Sequence, residues 1–184
     1  RIKQVRKKFQ SLFYWILFFY LTKIKEIEIN NTQNIADYAF SNVEVEKLKL
    51  SNTIKTLGRG VFNDNRINQN ELLIPESIET IGEGLLQTKY GLNIKKLDYR
   101  AKAITPMHFA RTTYSANPNK IEEIEISNTK NIGEYSFNYL GTKKITLHEG
   151  LETIEFKAFR DNPLVQEELV IPSTVKLVGA ESFY

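Results

Sequence analysis

Apolar residues recur along this chain on two scales. Within short segments they alternate with polar ones: Ile27/Ile29, Leu48/Leu50, Leu72/Ile74, Leu97/Tyr99, Ile124/Ile126, Ile145/Leu147 and Leu169/Ile171. Alternation over so short a run predicts a strand with one buried face. Each pair leads through a turn and one or two aliphatics to a closing residue: Phe40, Phe62, Leu86, Phe109, Phe137, Phe159 or Phe183. The closing positions lie 22, 24, 23, 28, 22 and 24 residues apart. Seven strands at that spacing predict a repeat solenoid, mainly β with turns and short irregular segments, with one parallel strand per coil. From residue 23 onward no stretch holds a helical period across four turns.

Residues 23–87 align without a gap on 120–184, with 24 identities in 65 pairs. Every apolar landmark coincides, so the chain carries an internal duplication. The predicted organisation is a segment 1–22 followed by a solenoid over 23–184 of about seven repeats. Gly58, Gly82, Gly133 and Gly179 each follow the second aliphatic and predict a tight bend that a Cβ would hinder. Asn65 and Asn162 predict side chains that bond exposed backbone at a turn. Read instead as calcium ligands, FNDN and FRDN fall short in ligand count. The fourth repeat closes on the long segment AITPMHFARTTYSANPNK, with His108, Arg111, Tyr114 and two prolines. It reads either as a binding loop or as the seam of the duplication.

IPESIETIGEGLL and IPSTVKLVGAESF resemble the BspA-like, or Treponema-type, leucine-rich repeat. Leu72, Ile74, Pro75, Ser77, Ile78, Ile81, Gly82 and Leu86 follow its unit in order and spacing, as do Leu169, Ile171, Pro172, Val175, Val178, Gly179 and Phe183. The other five repeats lack the Pro, and Asn65 and Asn162 stand where the family carries Cys. The resemblance covers 23–184. It implies a strand face that is concave and serves for binding, and a secreted or cell-surface setting.

The outward strand positions carry the candidate chemistry. Just before each first buried aliphatic stand Glu26, Lys47, Glu71, Lys96, Glu123, Lys144 and Glu168, alternating in sign throughout. Strands ~4.8 Å apart would set each charge between two opposite ones, which predicts a ladder that fixes the register of the coils. The next outward columns hold Glu28, Lys49, Asp98, Glu125 and Thr146, then Arg100 and His148. These seven are the candidate partner-contact residues.

Charge and composition narrow the chemistry. The net charge of +3 hides an uneven distribution, because residues 1–25 hold seven basic residues and no acid, leaving 3 − 7 = −4 for the rest. That balance argues against nucleic acid as the partner. With no Cys and only two His, thiolate metal sites, cysteine nucleophiles and iron–sulfur clusters are excluded. We find no catalytic motif, no cofactor-binding motif and no metal site, so the expectation is a protein that is not an enzyme. Within 1–22, the apolar run Leu12–Leu21 is too short to span a bilayer. The segment reads as a cap helix, a signal-like remnant or a membrane-surface anchor, and membrane contact is expected only through it.

Two functions follow as expectations. One is a non-enzymatic binding module that presents its strand face to a protein, of a host or matrix, or to a glycan, as adhesins do. The other is a structural spacer or assembly subunit whose ends and edges bind other chains, with further repeats or a partner covering the C-terminal end.

Overall fold

The computed structural model of the chain describes residues 23–88, 90–102, 104–109 and 120–184. The segment 1–22 and the predicted loop with Arg111, Tyr114 and Pro118 lie outside the described residues. Every regular element described is a strand. Six are long: β1 (Lys23–Ile29), β3 (Glu44–Leu50), β5 (Asn68–Ile74), β7 (Asn93–Tyr99), β8 (Lys120–Ile126) and β10 (Lys144–Leu147). Six are two residues long: β2 (Asn34–Ile35), β4 (Thr56–Leu57), β6 (Thr80–Ile81), β9 (Asn131–Ile132), β11 (Thr153–Ile154) and β12 (Leu177–Val178). All strand pairs are parallel and join successive coils, so the chain is a parallel β-solenoid.

Each coil has three walls. The long strands form the first and the short strands the second. The third is the closing turn, tied to the next coil by bonds such as Phe62 N–H to Leu85 O (3.0 Å), Phe137 N–H to Ala158 O (2.8 Å) and Phe159 N–H to Ser182 O (2.8 Å). Two residues before every closing position the backbone is left-handed, with φ between 54° and 65° at Tyr38, Gly60, Gly84, Met107, Tyr135, Lys157 and Glu181. Glycine occupies only two of these seven sites, so five coils bear the steric cost of a Cβ there.

The alternating aliphatics point inward and are buried from Ile27 to Leu147. Burial of each such side chain contributes about 1.5–3 kcal/mol. The closing phenylalanines stack: Phe109, Phe137, Phe159 and Phe183 follow one another at centroid distances of 5.4, 5.1 and 5.3 Å. Phe40 and Phe62 make a second stack, and Leu86 separates the two. The strands also bury an apolar position that the alternation did not mark, three residues earlier, at Val45, Ile94 and Ile121. The register skips one residue between, so Lys95 and Lys96, like Glu122 and Glu123, stand side by side and both point out of the core.

Four expectations change in the structure. The seventh predicted strand, around Leu169–Ile171, does not form, and β3 and β5 are not paired either. Both places have the same cause. In that earlier inward column Gln69 and Gln166 replace the aliphatic, and their amides act as a surrogate strand. Gln69 accepts from Leu48 N–H (2.7 Å) and donates to the carbonyls of Leu48 (3.2 Å) and Glu71 (2.6 Å). Gln166 repeats this on Ile145 (2.6 and 3.2 Å) and Glu168 (2.7 Å). A few residues on, Arg100, Ser127 and His148 each donate a backbone N–H to the preceding coil, at 2.9, 2.9 and 3.2 Å. Pro75 and Pro172 occupy that position here and have no N–H to give.

The glycines after the second aliphatic are needed for a reason other than a bend, since none of the four has a positive φ. A Cβ on Gly82 would lie 2.5 Å from Arg59 N, and one on Gly179 2.6 Å from Phe156 N. What requires glycine is the approach of the coil below. Asn65 is buried, and the backbone it bonds is interior: its amide donates to the carbonyls of Phe40 (2.7 Å) and Phe62 (2.9 Å). Asn162 does the same for Phe137 and Phe159, both at 2.7 Å, and accepts from Leu140 and Thr142 N–H. In the Cys place of the repeat unit, asparagine therefore satisfies carbonyls that the stacked turns would otherwise leave unpaired.

His108, placed by the sequence in a candidate binding loop, lies fully inside the fourth coil. Its ring bonds the Tyr99 hydroxyl (3.2 Å) and Thr105 Oγ1 (2.9 Å) and packs edge-on against Tyr99 and Phe109. Burial pushes its pKa down to about 3, so it is a neutral core residue at physiological pH.

Candidate functional site

The strand wall carries the polar residues that the sequence singled out, and the structure sorts them into two groups. On β1 and β3, Glu28 and Lys49 are register partners and close an ion pair of 2.9 Å. The Lys49 ammonium lowers the Glu28 pKa, and Glu28 in turn raises that of Lys49. Beyond the parting between β3 and β5 stands the second and larger group. Asp98, Glu125 and Thr146 are neighbours in register across β7, β8 and β10. Arg100 lies over Asp98, with Nε 2.9 Å from Oδ1 and a terminal nitrogen 2.5 Å from Oδ2. His148 Nε2 lies 3.1 Å from Glu125 Oε1, and Lys96 Nζ 2.6 Å from Oε2. The bond from Lys96 is the main reason the Glu125 carboxyl is held below its ordinary pKa, with a smaller contribution from His148. Five of the seven predicted contact residues are therefore neighbours, and Glu28 and Lys49 are apart from them.

The charge ladder forms in register but not as ion pairs. Glu26 faces Lys47, Glu71 faces Lys96, and Glu123 faces both Lys96 and Lys144. The parted boundaries leave Lys47–Glu71 and Lys144–Glu168 without strand pairing. Among the described residues no two ladder charges come within ion-pair distance, and Lys96 bonds Glu125 in the next column instead. With no direct contact between them, these exposed alternating charges match the register of the paired strands and add little to stability.

Chemically, the group around Glu125 is a rigid surface of donors and acceptors. Its carboxylates are already held by cations, while Thr146 on β10, and Arg100 and His148 just past the ends of β7 and β10, stay exposed. Among the described residues no cluster of three or more potential metal ligands stands together, and no helix is long and apolar enough to cross a membrane. The sequence reading missed Lys96 as a holder of the site and Gln69 and Gln166 as wedges. A signal for the wedges was there: Gln is identical in both copies of the duplication, in a column that is aliphatic at Ile24, Val45, Ile94 and Ile121.

Parallel coils of 22–28 residues, an inward aliphatic column, stacked closing aromatics and an outward polar strand wall define a leucine-rich repeat solenoid. A family model described as a BspA type leucine rich repeat region, in 6 copies, matches residues 17–117 and 112–184, and the chain belongs to that family. No curated protein matches it. Among solved structures it is similar to the pneumococcal vaccine antigen PcpA, at 23% identity over 85% of this chain, with a TM-score of 0.39. It spans about half of that chain, 47%.

Proposed function

We propose that the chain is a non-enzymatic binding module, displayed at the cell surface or secreted, that presents its strand wall to a protein or glycan partner. The observation that carries this reading is the cluster of Asp98, Arg100, Glu125, Thr146 and His148. Glu125 is held across coils by Lys96 and His148, and Asp98 is held by Arg100 of its own coil. All five residues lie on or next to strands whose register the core dictates, so much of their geometry is set before a partner arrives, which lowers the cost of binding. Membership of the BspA-type family supports both the binding role and the setting.

The test is capture by surface plasmon resonance on a panel of extracellular-matrix proteins and a glycan array. The wild-type chain is compared with a variant carrying Arg100→Ala, Glu125→Ala and His148→Ala. Capture of at least one partner, weakened more than tenfold in the variant at an unchanged melting temperature, is expected. A variant that captures as well as wild type would refute the assignment of the site to this cluster.

A further inference from the structure

Two clefts on the outer side of the strand wall arise at equivalent places in the duplication. The larger, about 670 Å³, opens where β3 and β5 part, and Lys47, Asn68, Asn70, Glu71, Lys95 and Glu122 are among its lining residues. The smaller, about 250 Å³, lies against Gln166, with Glu123 and Lys144 on its walls, and shares Glu122 with the larger. Glu122 joins them into one trough crossing the strands. The wedging glutamines account for both, because each holds its own coil away from the one before.

The larger cleft reaches from Glu26 on β1 to Glu122 on β8. Four strand steps at ~4.8 Å make that span about 19 Å. Spread over that length, a volume of about 670 Å³ makes the cleft long and narrow. The space suits one extended chain, not a compact ligand.

The lining is chemically specific. Lys47, Glu71, Lys95 and Lys144 carry no ion pair among the described residues, so charges of both signs are available. The Asn93 amide donates to Asn68 Oδ1 (2.8 Å), both residues line the larger cleft, and Asn70 is exposed beside them. Carboxamides offer a donor and an acceptor side by side, matching the N–H and C=O of a peptide main chain. A sugar is bound best where an apolar or aromatic plate meets its C–H face, and no aromatic residue lines either cleft.

We propose that this trough seats an extended peptide segment of a partner protein. The carboxamides of Asn68 and Asn70 bond its main chain, and Lys47, Lys95, Lys144 and Glu71 meet its charged side chains. The inference rests on the binding-module reading and adds a second, separate contact site to it, with a peptide as ligand class.

The experiment pans a phage-displayed library of random dodecapeptides on the folded chain and measures selected peptides, labelled with fluorescein, by anisotropy. The expected result is peptides carrying both acidic and basic residues, whose affinity falls at least tenfold in Asn70→Ala/Lys95→Glu. Both substituted side chains are exposed, and circular dichroism checks that the fold is kept. Selected peptides that bind the double variant as well as wild type would overturn the trough, as would a library that yields none. If their affinity falls instead in the Arg100/Glu125/His148 variant, the trough fails while the binding-module reading stands. Binding of polygalacturonate or laminarin at the trough, with no peptide bound, would equally reject a peptide as its ligand.

Discussion

His108 makes the stability of the fourth coil depend on pH in a calculable way. Folded, its imidazole takes a proton only near pH 3, while the unfolded residue does so near its ordinary value of 6.5. The protonated form is thus favoured by unfolding, so the stabilisation is complete above pH 6.5 and is lost progressively as pH falls from there towards 3. Between pH 7.5 and pH 5 the unfolded imidazole becomes almost fully charged and the folded one stays neutral. From those two values, this single group removes about 2 kcal/mol of stability over that interval. With an m-value of ~2 kcal/mol/M for a domain of this size, the urea midpoint moves down by about 1 M. The perturbation is His108→Gln, which keeps a polar side chain between Tyr99 and Thr105 and has nothing to titrate. Urea unfolding at pH 7.5, 6 and 5 should show the gap between wild type and variant shrinking by about 2 kcal/mol as pH falls. Carboxylate contributions cancel in that difference. A gap that stays constant from pH 7.5 to pH 5 would refute a neutral, buried His108.

Two further predictions concern what holds the coils together. Gly82→Ala forces a Cβ against Arg59 backbone in the coil below, so we expect a loss of about 3 kcal/mol in chemical denaturation, whereas a change under 0.5 kcal/mol would show that the coils are not in such close contact. Phe137→Ala removes a ring stacked on both sides and should cost about 3–5 kcal/mol, more than Phe40→Ala at the half-buried first rung; equal losses at the two positions, read from thermal unfolding, would contradict a continuous stack.

Most of the coil architecture was legible because it rests on periodicity. Alternating aliphatics and a closing aromatic at a near-constant interval admit few arrangements besides stacked coils, and the inward columns fell where the alternation put them. The sequence was silent where a side chain does the work of backbone. Gln69 and Gln166 look like ordinary solvated residues until their amides are seen on Leu48 and Ile145. Glycine was expected to serve a bend and serves a close approach, because a residue spacing does not show how near the next coil comes. His108 read as part of an irregular loop because a single histidine carries no periodic signal, and only burial shows it to be core. The contact cluster was half legible. That these columns face outward could be read from the alternation, but side-chain reach decided that Lys96 would meet Glu125 diagonally and not its own ladder partners.

The parted boundary between β3 and β5 has a mechanical consequence. There the short strands β4 and β6 stay hydrogen-bonded, while among the described residues the hydrogen bonds between the long strands at the same boundary come from a glutamine side chain. The second copy is similar, with β11 bound to β12 beside the unformed seventh strand, where one backbone bond, Val165 N–H to Lys143 O (3.0 Å), joins the Gln166 link. The solenoid resembles a book bound along its spine, in which two leaves can fan open at the front without coming loose at the back. A side chain can swing away by rotating a few single bonds, whereas a paired strand must break several bonds at once. Each such boundary is thus a place where the strand wall can adjust its spacing to whatever lies across it, while the core behind keeps its stack.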